Sequence, residues 1–319
     1  MLKIGFLGFG THAERLNRCL KESLDDFDLV CYHPTKQDSQ TTNKFESFCD
    51  CDVFFITSPN ETHFGYIEKL LEKTNSKIFC EKPPCTSSKE LQKLLNLSSD
   101  SKARIFINFN FRYSDLYKFI SSSIANGAIG NVINITGVLS HGLAFKEGYP
   151  NSWRGKYPAN KSVVLDTSLI HLIDLFNYVF DGALEISFCS SASFKHGLDS
   201  FSIGLKTQNK VNISLFSSYA APYCFSMQII GTDGIIEASH SSLIVKAPRD
   251  TFDEKGFFIS PPKSGSQKYS FELDYQKSLQ SAVDYFISHA VSDKSFSIDD
   301  FDHSLATTKL VFDAQMSSF

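Results

Sequence analysis

Long apolar runs are missing from this sequence. None approaches the ~18–20 residues that a membrane span needs. The apolar start MLKIGFLGFG meets glycines after seven residues, too short for the core of a signal peptide. The eight cysteines form no C-x-x-C pair, and several fall inside strand-like or helix-like runs, so they read as reduced thiols of a soluble, cytoplasmic protein. Lys and Arg are scattered, and a net charge of −4 offers no broad attraction to nucleic acid or to an anionic membrane. No His/Asp/Glu cluster has metal-ligand spacing, so no metal is expected. Internal repeats and low-complexity tracts are absent, and a single Trp stands against 30 Phe.

A chain of 319 residues, 42% of them hydrophobic, is long enough for two cores. In residues 1–110, strand-like runs (2–8, 28–33, 52–57, 76–80, 104–108) alternate with helix-like ones (12–24, 40–48, 61–73, 87–97). Short connections between them predict a doubly wound α/β domain with a parallel sheet covered on both faces. Residues 111–319 change rhythm. Helices are expected near 114–125, 167–180, 274–290 and 299–316, and a strand near 131–140 precedes a polar stretch over 141–161. β-type runs fill 183–247, with GTDG as a hairpin turn, and 250–268 reads as a linker. The pattern predicts an α+β domain, a mostly antiparallel open sheet with helices on one face.

KIGFLGFGTHAERL sets Gly8, Gly10 and Ala13 as G-x-G-x-x-A between the first strand and helix, the Rossmann dinucleotide pattern. Gly8 permits the turn, Gly10 admits a pyrophosphate, and Ala13 lets helix and strand pack. The helix start at Thr11 and His12 offers free N–H groups to phosphate. NAD-binding units end their second strand on an acid that holds the ribose hydroxyls; LVCYHPTKQ has none there. His33, Thr35 and Lys36 can meet a 2′-phosphate, which favours NADP over NAD, although His33 and Lys36 read equally well as solvated loop residues.

The ligand crevice of an open parallel sheet lies at the carboxyl ends of its strands, near the switch point. VFFITSPNETH brings Thr57, Ser58, Pro59, Asn60 and His63 there as nicotinamide-side residues, with Asn60 or Thr62 expected to cap the following helix. SKIFCEKPPC delivers Glu81 and Lys82 to the same rim, where a partly desolvated lysine can hydrogen-bond a substrate oxygen.

Several motifs in order resemble the glucose-fructose oxidoreductase and inositol dehydrogenase (Gfo/Idh/MocA) family: ITSPNETH at 56–63, EKPP at 81–84, INFNFRYS at 107–114, NGAIGNV at 126–132, SWR at 152–154, LDTSLIHLID at 165–174 and IIGTDGIIE at 229–237. The resemblance covers nearly the whole chain. It implies a nicotinamide-dependent oxidoreductase that interconverts a secondary alcohol and a ketone on a sugar, sugar nucleotide or cyclitol, assembled as a homodimer or homotetramer. Lys82 would hydrogen-bond the reacting oxygen, with Pro83 in a cis peptide and Pro59, Asn60 and Glu81 near the nicotinamide and its ribose. A cofactor-sensing protein without chemistry, or a glycosidase using the cofactor without net redox, are the alternatives.

His171 sits in LIHLIDLFNYVF and alone reads as a core histidine; the resemblance makes it the acid/base, three residues before Asp174. Asp174, one turn on, could orient its ring. The family's aspartate lies four residues before the histidine, whereas Asp166 lies five before, with Thr167 in that slot. Five residues are about 140° off one helical face, so Asp166 joins His171 only if the helix starts after it or bulges; helix N-cap is its other reading. ANKSVV replaces the usual glycines at 159–164. Trp153 and Arg154 would cover the sugar side, and Arg112, Tyr113 and Lys161 are further candidates for substrate contact.

Overall fold

A computed structural model describes residues 1–35, 37, 40–182, 184–249 and 252–317 of the chain. It divides into two compact units, Met1–Asn110 with Lys277–Lys309, and Phe111–Gln276 with Leu310 onward.

The first unit opens β1 (Leu2–Leu7), α1 (Thr11–Ser23), β2 (Phe27–Tyr32), β3 (Thr41–Thr42) and α2 (Phe45–Phe48). It continues β4 (Val53–Ile56), α3 (Asn60–Lys73), β5 (Lys77–Glu81), α4 (Ser88–Leu95), α5 (Ser99–Lys102) and β6 (Ile105–Asn108). The six strands are parallel in the order β3-β2-β1-β4-β5-β6, so the order reverses between β1 and β4. Every residue of β4 and β6 is buried, as burial on both sheet faces requires. The phenylalanine surplus builds this core. Phe55 stacks on Phe79 at 4.6 Å, and Phe286 turns its edge to both at 5.1 and 5.4 Å. The helix expected over 40–48 is instead a two-residue edge strand and a one-turn helix, because β-branched Thr41 and Thr42 pair with Cys31 and Tyr32.

The second unit holds α6 (Asp115–Ala125), β7 (Val132–Ser140), α7 (Ile170–Val179), β8 (Leu184–Ala192), β9 (Ser200–Thr207), β10 (Asn212–Ser218), β11 (Cys224–Gly231), β12 (Ile235–Ser239), β13 (Ser242–Lys246) and β14 (Lys263–Lys268). Its sheet runs β14-β13-β12-β11-β7-β10-β9-β8 and is antiparallel except where β7 lies parallel to β10, Ile135 beside Ile213. In β12 and β13 fully buried residues alternate with half-buried ones, the mark of one covered face. GTDG closes the β11–β12 hairpin through Gly231 N–H to Gly234 O at 2.9 Å. The linker expected over 250–268 contains β14, whose sequence KSGSQK has no apolar residue to signal a strand. Helices α8 (Phe271–Val291) and α9 (Ile298–Ser317) close the chain. Among the described residues no helix is long and apolar enough to cross a membrane, and no group of His, Cys, Asp and Glu is placed to hold a metal ion.

Candidate active site

In the first unit the strand order reverses at β1 and β4, and the glycine turn sits at the carboxyl end of β1. Gly8 has φ +86, and a Cβ there would stand 2.7 Å from the Ser58 Cα, so only glycine fits. Gly10 is the residue before α1, and nothing lies within 4 Å of where its Cβ would be. A space is thus left at the helix N-terminus, where the N–H groups of Thr11, His12 and Ala13 have no carbonyl of their own helix to bind. Ala13 is buried, which lets α1 pack down on the sheet. Backbone N–H groups, a positive helix end and an open approach fit a dinucleotide pyrophosphate.

Around this turn the expected residues take different parts. The Thr57 hydroxyl donates to Gly8 O at 2.6 Å, fastening β4 to the glycine turn. Ser58 and Thr62 hydroxyls meet at 2.6 Å, while Pro59 is exposed. The cap of α3 is Pro59 and not Asn60 or Thr62: Asn60 is already helical, and the Thr62 hydroxyl turns back to Pro59 O at 2.7 Å. His63 is fully buried, its Nδ1 2.8 Å from Pro83 O and its Nε2 2.8 Å from Ser58 O. It therefore ties the loop after β4 to the loop after β5. Burial lowers its pKa against the opposite pull of those carbonyls and of Glu81.

Glu81 ends β5 and Asn108 ends β6, side by side in register. The Glu81 Oε1 accepts Asn108 Nδ2 at 2.7 Å and faces His12 Nε2 at 2.8 Å, so the glycine turn and the EKPP stretch are joined by one carboxylate. Burial pushes the Glu81 pKa up, but His12, Asn108 and Lys82 outweigh it and hold it below the ordinary range. Lys82 follows, half-buried, and the Lys82–Pro83 peptide is cis. At the end of β2, the Thr35 N–H donates to His33 Nδ1 at 3.2 Å. Lys36 lies outside the described residues.

The second unit gathers Asp166 and His171 on one helix. Val163 and Val164 are already helical, so Asp166 is inside the helix and is not its N-cap. Leu165–Leu169 forms a π-turn in which Ile170 N–H donates to Leu165 O, five residues back. That wider turn takes up the extra residue and brings positions five apart onto one side, Asp166 with His171. Both are buried, at 8% and 9% exposure. The Asp166 carboxylate accepts a hydrogen bond from the Tyr157 hydroxyl and one from Gln315 Nε2 at 3.3 Å. The His171 ring stacks on Phe111 at 4.8 Å.

Asp174 is fully buried and its carboxylate receives the Arg112 guanidinium through two hydrogen bonds, at 2.9 and 2.6 Å. Arg112 also lies 4.6 Å over the Tyr178 ring. These two candidates are brought to each other. Trp153 is 47% exposed with Arg154 packed 4.4 Å over its ring, and Lys161 is half-buried.

Sequence reading missed four residues of this unit. His141 and Tyr219 follow the parallel strands β7 and β10, their rings 4.5 Å apart, and Tyr219 hydrogen-bonds the Thr167 hydroxyl. Polar residues directly after apolar strand runs were the available signal, the same one that marks Lys82. Tyr157 and Gln315 gave none, since they reach Asp166 only through tertiary packing. Gln315 accepts from Ser162 N–H and donates to Ser162 O, both at 2.9 Å, clasping the start of the helix that carries Asp166 and His171.

Comparison with known proteins follows the same division. Residues 2–109 match the model of an oxidoreductase family with an NAD-binding Rossmann fold, and residues 117–237 match a Gfo/Idh/MocA C-terminal domain. Over 97 residues the chain is 31% identical to inositol 2-dehydrogenase of Rhizobium meliloti (strain 1021), covering 30% of this chain and 29% of that protein. Over 193 residues it is 27% identical to glucose-6-phosphate 3-dehydrogenase of Bacillus subtilis (strain 168), covering 57% of this chain and 54% of that protein. The matches thus span less than two thirds of either relative. The structure of levoglucosan dehydrogenase with NADH and levoglucosan superposes with a TM-score of 0.75 over 99% of this chain and 98% of that one, at 19% identity, a likeness of fold.

Proposed function

Because the chain belongs to the Gfo/Idh/MocA oxidoreductase family, we propose that it is a nicotinamide-dependent dehydrogenase. It interconverts a secondary alcohol and a ketone on a sugar, sugar nucleotide or cyclitol; inositol and glucose 6-phosphate are named for two of its relatives. The observation that carries the reading is the glycine turn at the point where strand order reverses, open above Gly10, with Lys82 two strands along on the same carboxyl edge.

In this reading the nicotinamide, when bound, takes or gives the hydride. Thr11, His12 and Ala13 hold the pyrophosphate with their N–H groups, and Pro59 and Asn60 border the nicotinamide side. Lys82 donates a hydrogen bond to the reacting oxygen and, by its charge, favours the alkoxide over the alcohol. His171 takes the hydroxyl proton in oxidation and returns it in reduction, and Asp166 on the same helix side favours the imidazolium that forms. Trp153 offers its exposed face to the sugar ring. NADP is the preferred cofactor, since β2 ends on Tyr32 with His33 and Thr35 after it and no carboxylate. The second unit, residues 111–276 with 310 onward, provides the substrate side and the surface for a homo-oligomer.

Thermal-shift measurements with NAD and NADP test the reading. The melting temperature is expected to rise with both and more with NADP; no rise with either would sink it.

A further inference from the structure

We propose that the substrate carries an oxyanion, a carboxylate or a phosphate group, and that Arg154 binds it. The inference rests on the dehydrogenase reading above and adds to it the charge of the substrate.

Local charge is the first ground. In a chain with a net charge of −4, residues 141–161 hold Lys146, Arg154, Lys156 and Lys161 against Glu147 alone. One further cation packs here from the loop after β8, Lys195, which lies 5.6 Å from the Phe145 ring. The carboxylates nearby are turned to other donors. Asp199, fully buried, accepts the N–H groups of Phe194, Lys195 and His196 at 3.0, 2.7 and 2.9 Å. Asp166 accepts Tyr157 and Gln315.

Arg154 itself is the second ground. It is half-buried against Trp153, Tyr219 and His141, and its charge draws down the pKa values of Tyr219 and His141, whose dominant perturbation is burial. Among the described residues the arginines in ion pairs are Arg112 and Arg249, and Arg154 is not in one. Its Nε is buried with no acceptor. A guanidinium removed from water calls for an acceptor with a matching negative charge, and its planar fork suits carboxylate and phosphate oxygens two at a time. The exposed face of Trp153 beside it would carry the sugar ring. Tyr219 hydrogen-bonds the guanidinium but carries no charge, and Nε has no partner; an oxyanion substituent supplies the charged acceptor.

The test is titration calorimetry on the full chain saturated with reduced dinucleotide, using glucose and myo-inositol against glucuronate, glucose 6-phosphate and inorganic phosphate. Wild-type protein is expected to favour an oxyanion-bearing sugar over its neutral counterpart, with a preference that shrinks as salt rises. Arg154→Gln should reduce that preference by about tenfold or more, while Arg154→Lys keeps most of it, which separates lost charge from lost fold. Glucuronate against glucose 6-phosphate decides between carboxylate and phosphate. Equal affinity for charged and neutral sugars, an undiminished preference in Arg154→Gln, or no response to any oxyanion probe would overturn the inference. If the dinucleotide itself fails to bind, the dehydrogenase reading falls; if neutral sugars are turned over without a charge preference, that reading stands and this one falls.

Discussion

Arg112 and Asp174 meet fork to fork, at 2.6 and 2.9 Å, with side-chain exposures of 7% and 1%. A charge pair so removed from water is costly to break from one side, because the remaining partner stays buried. Asp174→Asn or Arg112→Met should each lower stability by about 3–5 kcal/mol, and Arg112→Met with Asp174→Leu should recover much of that loss. Urea denaturation of the two single variants and the double variant measures it; additive losses would show that the pair is not coupled.

Lys82 and His171 divide the proton chemistry in the proposed reaction, so removing either should strike turnover and spare the dinucleotide. Lys82→Met and His171→Asn should each lower kcat by about 10²- to 10⁴-fold. Fluorescence titration of the reduced dinucleotide should find its affinity changed by no more than a few-fold. A variant that keeps turnover near wild type removes its residue from the chemistry.

Gln315 reaches Asp166 from the last helix, at 3.3 Å. Hydrogen bonds donated to a carboxylate favour its charged form, so Gln315→Leu should raise the Asp166 pKa. The acidic limb of the kcat/KM profile should move to higher pH, and kcat/KM at its plateau should fall by about 10- to 100-fold through misplacement of the carboxylate. A purely structural role for Gln315 would change stability and leave the pH limb where it was.

Native Glu81 has a lowered pKa, since His12, Asn108 and Lys82 outweigh its burial. Folding therefore favours its ionised form. The resulting stability is fully present above the unfolded value, about 4.3, and is lost as pH falls through the lower native value. Denaturant midpoints taken from about pH 6 down to about pH 3 should drop less steeply in Glu81→Gln than in the wild type.

Much of this was legible in the residues. Gly8, Gly10 and Lys82 announce their places because a parallel sheet puts functional groups at strand ends, and strand ends can be read from apolar runs. Asp166 showed a conflict, one residue too far from His171 for an α-helical face, and the π-turn at Leu165–Leu169 resolves it. Val163, Val164 and Tyr219 pack in one buried cluster beside that turn, a tertiary arrangement that no local pattern carries. Arg112 read as a candidate for substrate contact and Asp174 as a residue that could orient the His171 ring; their pairing spans 62 positions and becomes visible only when folded. β14 was hidden for the opposite reason, an edge strand of small polar residues that buries nothing.

The parallel seam between β7 and β10 also has a kinetic meaning. Hairpins β8–β9, β9–β10 and β11–β12 join neighbours in sequence, whereas Ile135 and Ile213 must close a loop that contains Asp166, His171 and two strands. Closing long loops slows folding, so the seam should zip after the hairpins. His141 and Tyr219 ride on the ends of its two strands, and the surroundings of Asp166 would therefore take shape last. Ile213→Val should speed unfolding and leave refolding nearly unchanged in stopped-flow measurements. The unit that would choose the substrate in the proposed reaction is then the one whose assembly tolerates change, because new side chains in 141–161 enter after the folding barrier has been crossed.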